Sequence, residues 1–362
     1  MSRDNRVIYL DILRIISIFA VIVIHAAAMN WYTQPVNTLA WASVNFYTAV
    51  SRFCVPVMFM ISGALFLNQD INLKKLWSKN ILRIVTAFLF WSFLYAVPYW
   101  ANMLLRHMDI VKSSGLHPVK GFYDELMRGH FHQWFLYALL PLYILTPFIR
   151  KFVNDKILIK YFLILSFIFA SLVPTLRYMP FIDALVAIPA DSLKLGAALF
   201  SQYAFYFVLG YYLNIKDLPD KIIKLIYAAG IFGTIITIYG TVLISRAAAK
   251  PSHILLDYLT PFTVCQSAAI FLFVKQIFAG GGVTHLSSKI KSKITDLSVM
   301  SFGIYLVHDF FNILIVKFKI NIFLLDRIPL VSVLIISALV FMLSLSVSRL
   351  LHKIPVLKDY IV

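Results

Sequence analysis

Apolar runs of about twenty residues, broken by short charged or polar stretches, recur along the whole 362-residue chain. Each run is long enough to cross about 30 Å of hydrocarbon as a helix. A chain that repeats this pattern has little choice of fold, because a lipid-exposed backbone must satisfy its own hydrogen bonds within each segment. Ten spans are expected, at about 7–28, 43–67, 80–101, 134–150, 157–175, 195–213, 223–245, 255–278, 295–316 and 328–350. The fold class is therefore all-α, a polytopic membrane protein. With 61% hydrophobic and only 14% charged residues, there is too little polar surface to wrap a soluble globule of this size.

The formal charge of +17 does not point to nucleic acid, because the 33 Lys and Arg, apart from Arg14 and Arg52 within spans, are spread among the breaks and ends of the apolar runs rather than on one basic face. Such spacing sets topology. With both termini cytoplasmic, twenty of these residues fall inside and eleven outside, which satisfies the positive-inside rule. Cys54 and Cys265 both sit within apolar segments and read as buried thiols, so neither a disulfide framework nor a cysteine-rich metal site is expected. The basic N-terminus leads into a run that contains Arg14 and His25 and no small-residue cleavage site, so it reads as a retained first helix. No repeat or separate soluble stretch stands out, and residues 1–362 read as one integral domain.

Ionisable groups inside spans are costly and mark function by default. The first span, YLDILRIISIFAVIVIH, carries Asp11, Arg14 and His25. Asp11 and Arg14 lie three apart on one helical face, and two readings are open: a local ion pair near the cytoplasmic interface, or an anchor for an anionic ligand. His25 follows Arg14 by eleven residues, roughly 16 Å along a helix axis. One helix thus offers a cation near the cytoplasm and a proton acceptor deep in the membrane, which suits a long anionic substrate with a reactive far end. Arg52 enters the second span from the other side and either snorkels to the outer interface or reaches the depth of His25. Ser62 falls near the depth of Arg14, and Pro56 between them is expected to kink or open the helix. His308 and Asp309 in SFGIYLVHDFF form either a second polar wall or a wet patch at the outer interface. Trp134 and Tyr137 either anchor an aromatic belt or serve the site. The stretch 102–133 holds His107, His117, His130 and His132 at spacings that match no metal-ligand pattern; a solvated loop is the expectation, and no metal is expected. Gly280–Gly282 lacks the Lys and Ser/Thr of a phosphate loop and reads as a connector.

Several of these stretches resemble a known family. Arg14 and His25 reproduce the Arg/Lys-x10-His motif of the acyltransferase-3 family, within an LD-x-LR opening. VPVMFMISG at 55–63, HQWFLYALLPLYILTP at 132–147 and SFGIYLVH at 301–308 are similar to its later motifs and follow in its order. The variant most resembled is the stand-alone group, which includes the O-acetyltransferase of enterobacterial common antigen. One departure is visible. Where the family has an Arg-x-x-Arg pair at the start of the third helix, this chain reads SKNILRI, with Arg83 in the second place, Asn80 in the first and Lys79 beside it.

The resemblance implies a multi-pass protein of the bacterial inner membrane that moves an acyl group, acetyl above others, from a coenzyme A thioester to a hydroxyl of a surface glycan or its lipid-linked precursor. It implies acetyl-CoA as donor, bound by Arg14, Lys79 and Arg83 with Ser62 nearby. His25 is then the general base, and Arg52 or Tyr305 steadies the oxyanion, with His308 in the same wall. A proton-coupled exporter of a glycan precursor remains the alternative, since intramembrane His and Arg also serve proton relays.

Overall fold

A computed structural model describes residues 7–70, 72–106, 118–178, 202–279 and 286–362. Among these the chain is helical with no strands, and nine helices are long and apolar enough to cross a membrane. In chain order the helices begin with Ile8–Ala28 (α1), Leu39–Val50 (α2) and Cys54–Phe66 (α3), the last two forming one span. Leu82–Arg106 (α4), Pro118–Arg128 (α5), Trp134–Val153 (α6) and Lys156–Ser166 (α7) come next. The second half holds Gln202–Ile215 (α8), Asp220–Ala247 (α9), Pro261–Ala279 (α10), Ser288–Lys317 (α11), Ile320–Arg327 (α12), Pro329–Leu351 (α13) and Pro355–Tyr360 (α14). The expected span at 195–213 is described only from Gln202, and the glycine connector at 280–282 lies outside the described residues.

α1 is the central post, buried along most of its length and packed against α3, α10, α11 and α13. The outer helices turn their large apolar side chains outward: Leu225, Ile231, Phe232, Tyr239 and Leu243 of α9 are all exposed. Such a surface suits lipid, not water.

Two departures from straight helices shape the interior. The second span breaks into α2 and α3 across Ser51–Phe53. The cause is Pro56, which has no N–H to give the Arg52 carbonyl and whose ring would collide with it. The break therefore centres on Arg52 and not, as the sequence suggests, on the proline itself, which sits harmlessly in the first turn of α3. The third span opens with a π-helical stretch, Leu76–Ile81, ahead of α4. Such wide turns concentrate at functional sites, and this one carries Lys79 and Asn80.

α3 and α8 meet backbone to backbone. A Cβ on Gly63 would stand 1.7 Å from the Phe207 carbonyl oxygen, and one on Gly210 would stand 2.1 Å from the Met60 oxygen. With lipid tails as apolar as leucine, close approach through small residues is what binds helices in a bilayer. Here it fixes the position of Ser62, next to Gly63.

Candidate active site

Polar groups gather at opposite ends of α1, around a cavity at the Arg14 end and in a cluster of largely buried side chains, the His25 chamber, at the other. At the Arg14 end a cavity of about 810 Å³ is lined by Arg14, Ser62, Lys79, Asn80 and Arg83, together with Lys75, Lys358 and Asp359. The four residues that sequence reasoning assigned to an anionic donor thus share one chamber, although they come from three separate spans. Arg14 pairs with Asp11 at 3.5 Å, and Ser298 bridges them, donating to Asp11 at 2.6 Å and accepting from Arg14 at 3.0 Å. The local ion pair and the cavity-facing cation are therefore the same residue. Arg83 donates to the Val362 carbonyl and lies 5.3 Å over the Phe302 ring, so the C-terminal residues form one wall. Ser62 donates back to Met58 at 3.0 Å and touches the Tyr143 hydroxyl. Phe135, Leu139 and Tyr143, spaced four apart on α6, run down one side of the cavity. Eight residues separate the first from the last, which gives a depth of roughly 12 Å.

The second chamber surrounds His25, which keeps partial access to solvent. Its ring lies 5.0 Å from that of His308, and the His308 ring lies 5.1 Å from His132. His308 and Asp309 are 0% and 3% exposed, so they form an inner polar wall and not a wet rim. The Tyr305 carbonyl accepts from His308 Nδ1 at 2.5 Å, which places the ring proton on Nδ1 and leaves Nε2 bare. Arg52 stands at the break between α2 and α3, 4.7 Å over the Tyr258 ring. It does not snorkel. Trp134 packs its ring 5.4 Å from Tyr203 and 5.8 Å from Tyr258, beside Arg52, whereas Tyr137 is 46% exposed and donates to the Met127 carbonyl.

Two histidines of the supposed solvated loop belong here, which corrects that expectation. His132 is 1% exposed, with its Nδ1 2.9 Å from His130 Nδ1, and His130 Nδ1 is 3.4 Å from Asp309 Oδ2. Gln133 folds the turn inward by accepting from the His130 N–H at 2.7 Å and from Ser92 at 3.1 Å. Burial pushes the His130 pKa down to about 4, so the ring is neutral at pH 7. The other two histidines of that stretch, His107 and His117, lie outside the described residues. The signal for His132 was present, since it opens the HQWFL motif; nothing local announced His130. Tyr305, expected at the oxyanion, donates to the His132 carbonyl at 2.5 Å and holds that residue in place.

A family model described as an acyltransferase domain matches residues 7–349. The chain belongs to the acyltransferase-3 family. No curated protein and no solved structure matched it, so the narrower likeness to stand-alone O-acetyltransferases rests on the sequence motifs. Membership makes the chain a multi-pass membrane acyltransferase, and the residues carrying its family motifs, Arg14 and His25 above all, line the two chambers.

Proposed function

We propose that this acyltransferase takes an acyl group, acetyl in the first instance, from coenzyme A at the Arg14 end and gives it to a sugar hydroxyl at the His25 end. The observation that supports this most is the pairing of chambers along α1. Five cations, Arg14, Lys75, Lys79, Arg83 and Lys358, against one carboxylate, Asp359, line the first cavity. That balance suits the diphosphate and ribose phosphate of coenzyme A. The same end gathers Lys74, Arg150 and Lys353, which favours a cytoplasmic placement of that end and of both termini. The apolar wall of Met58, Ile61 and Leu139 suits a pantetheine arm rising toward His25.

In the reaction, His25 takes the proton of the acceptor hydroxyl as its oxygen attacks the thioester carbonyl. Arg52 steadies the oxyanion. The C–S bond then breaks and the thiolate recovers the proton from the imidazolium. Transfer through an acyl-histidine keeps the same balance in two steps. The acceptor is a hydroxyl of a surface glycan or its lipid-linked precursor, in the inner membrane of a bacterium, with bilayer lipids around the helices.

Purified protein and a His25→Ala form, supplied with acetyl-CoA and candidate glycans, test this. The wild type should release coenzyme A in an acceptor-dependent way and the variant should be slower by about 10²–10⁴-fold. Equal rates would remove His25 as the base. An exporter would bind glycan and leave acetyl-CoA intact.

A further inference from the structure

The His25 chamber contains one group that acyl transfer does not account for. Asp309 is 3% exposed within α11, and among the described residues its ion-pair partner is an imidazole, His130. Its other oxygen accepts from Asn312 at 3.1 Å. A carboxylate buried here has imidazole nitrogens for neighbours on two sides, His130 with His132 and His25 with His308, and a carboxylate out of water is costly unless a cation meets it.

Three donor atoms converge on one point. His130 Nδ1 lies 2.9 Å from His132 Nδ1 and 3.4 Å from Asp309 Oδ2, and one ligand atom from each of the three residues falls within 4.8 Å of the others. Ligands at roughly 2.0–2.2 Å around a tetrahedral zinc ion stand about 3.3–3.5 Å apart. The Asp309 distance already fits, and the histidine pair needs to open by only a few tenths of an ångström.

The groups behind these atoms hold them as outer partners of a metal site do. Tyr95 stacks on His130 with ring centroids 4.3 Å apart and ties itself to α11, donating to the Leu306 carbonyl at 2.9 Å and accepting from the Phe310 N–H at 3.2 Å. Asn312 fixes the carboxylate and Tyr305 fixes His132. His132 Nε2 and His308 Nε2 are both buried without a hydrogen-bond partner, in rings 5.1 Å apart, so the second nitrogen of His132 is committed to nothing else when Nδ1 binds an ion.

We propose that His130 Nδ1, His132 Nδ1 and Asp309 Oδ2 bind a divalent transition-metal ion of the zinc type, with a fourth position open. Two imidazoles and one carboxylate select zinc over calcium or magnesium, which take oxygen ligands. His25 and His308 adjoin the same carboxylate, their ligand atoms also within 4.8 Å of it, so the ion would sit beside the acceptor chamber and hold its wall.

Metal content tests this without reference to activity. The detergent-purified full chain is stripped with a chelator, incubated with Zn²⁺ or Co²⁺, dialysed and measured by elemental analysis and visible absorption. The expected result is about one ion per chain, visible Co²⁺ bands of a tetrahedral site, and loss of both in Asp309→Asn and in His130→Gln. His253→Gln, an exposed histidine elsewhere, should retain the ion. Monodisperse elution of each variant establishes that it is folded; His130, at 21% side-chain exposure, is the milder change. A stripped wild type that elutes normally yet takes up no ion overturns the proposal, as does equal retention by either ligand variant.

Discussion

The sharpest test of the donor chamber is a gain of charge where this chain departs from its family. Asn80 lines the cavity on the π-helical turn, next to Lys79 and one turn before Arg83, so Asn80→Arg adds a sixth cation to a cavity that already carries five. A guanidinium about 8 Å from a phosphate, at an effective dielectric of about 40 for a wet mouth, contributes about 1 kcal/mol. At 0.15 M salt, where the screening length is about 8 Å, this shrinks to about 0.4 kcal/mol. Coenzyme A should therefore bind about fivefold tighter at low salt and about twofold tighter at physiological salt, read by calorimetry on protein in detergent. The substitution lies at a partly exposed position and should leave the elution profile unchanged. Unchanged or weaker binding at low salt would mean that the phosphates do not lie against this turn.

Three further outcomes follow from particular contacts. Lys79→Ala, an exposed change, should weaken coenzyme A binding several-fold at low salt with little effect on thermal stability, and the loss should fade as salt rises. Tyr305→Phe removes the bond to the buried His132 carbonyl, at about 1–3 kcal/mol; turnover should fall about tenfold or more while coenzyme A affinity, measured separately, stays constant. Gly63→Ala drives a methyl into the Phe207 carbonyl, so α3 and α8 must part at about 1–3 kcal/mol, seen as a lower melting temperature in detergent and weaker donor binding through the displaced Ser62.

The spans were legible because twenty-residue apolar periodicity is a local property, and the boundaries of α1, α9 and α13 fall within a few residues of their expected places. Ser62 was legible beside Arg14 because antiparallel spans fix which ends share a depth, whereas Lys79 and Arg83 were legible only through the family's third-helix motif. What the sequence hid is contact across long separations. His130 and His132 read as a wet loop because the carboxylate that meets them is Asp309, far along the chain on α11. Arg52 left two readings open because only the break at Ser51–Phe53 turns it inward, and Tyr305 read as an oxyanion donor because its acceptor is a main-chain carbonyl, which no motif displays.

If acyl transfer runs from the Arg14 end to the His25 end as proposed, Phe135 stands on the route. It ends the α6 face formed with Leu139 and Tyr143, at 5% exposure, with its ring 4.7 Å from Phe59 and 5.8 Å from Tyr305. Beyond Tyr305 stands His132, and beyond that His308 and His25. On the proposed route a thioester rising from the Arg14 end would meet this ring first, and the ring would have to swing aside for transfer and otherwise keep water from the donor. Phe135→Ala should join the chambers, at about 3–5 kcal/mol of stability; Phe135→Leu keeps most of the volume and should cost less than about 1.5 kcal/mol. Both should hydrolyse acetyl-CoA faster than the wild type when no acceptor is present, the alanine form more so, and both should lose hydrolysis when His25 is also replaced. If acceptor-free hydrolysis stays at the wild-type level in a folded Phe135→Leu protein, the ring is packing and the barrier between donor and acceptor lies elsewhere.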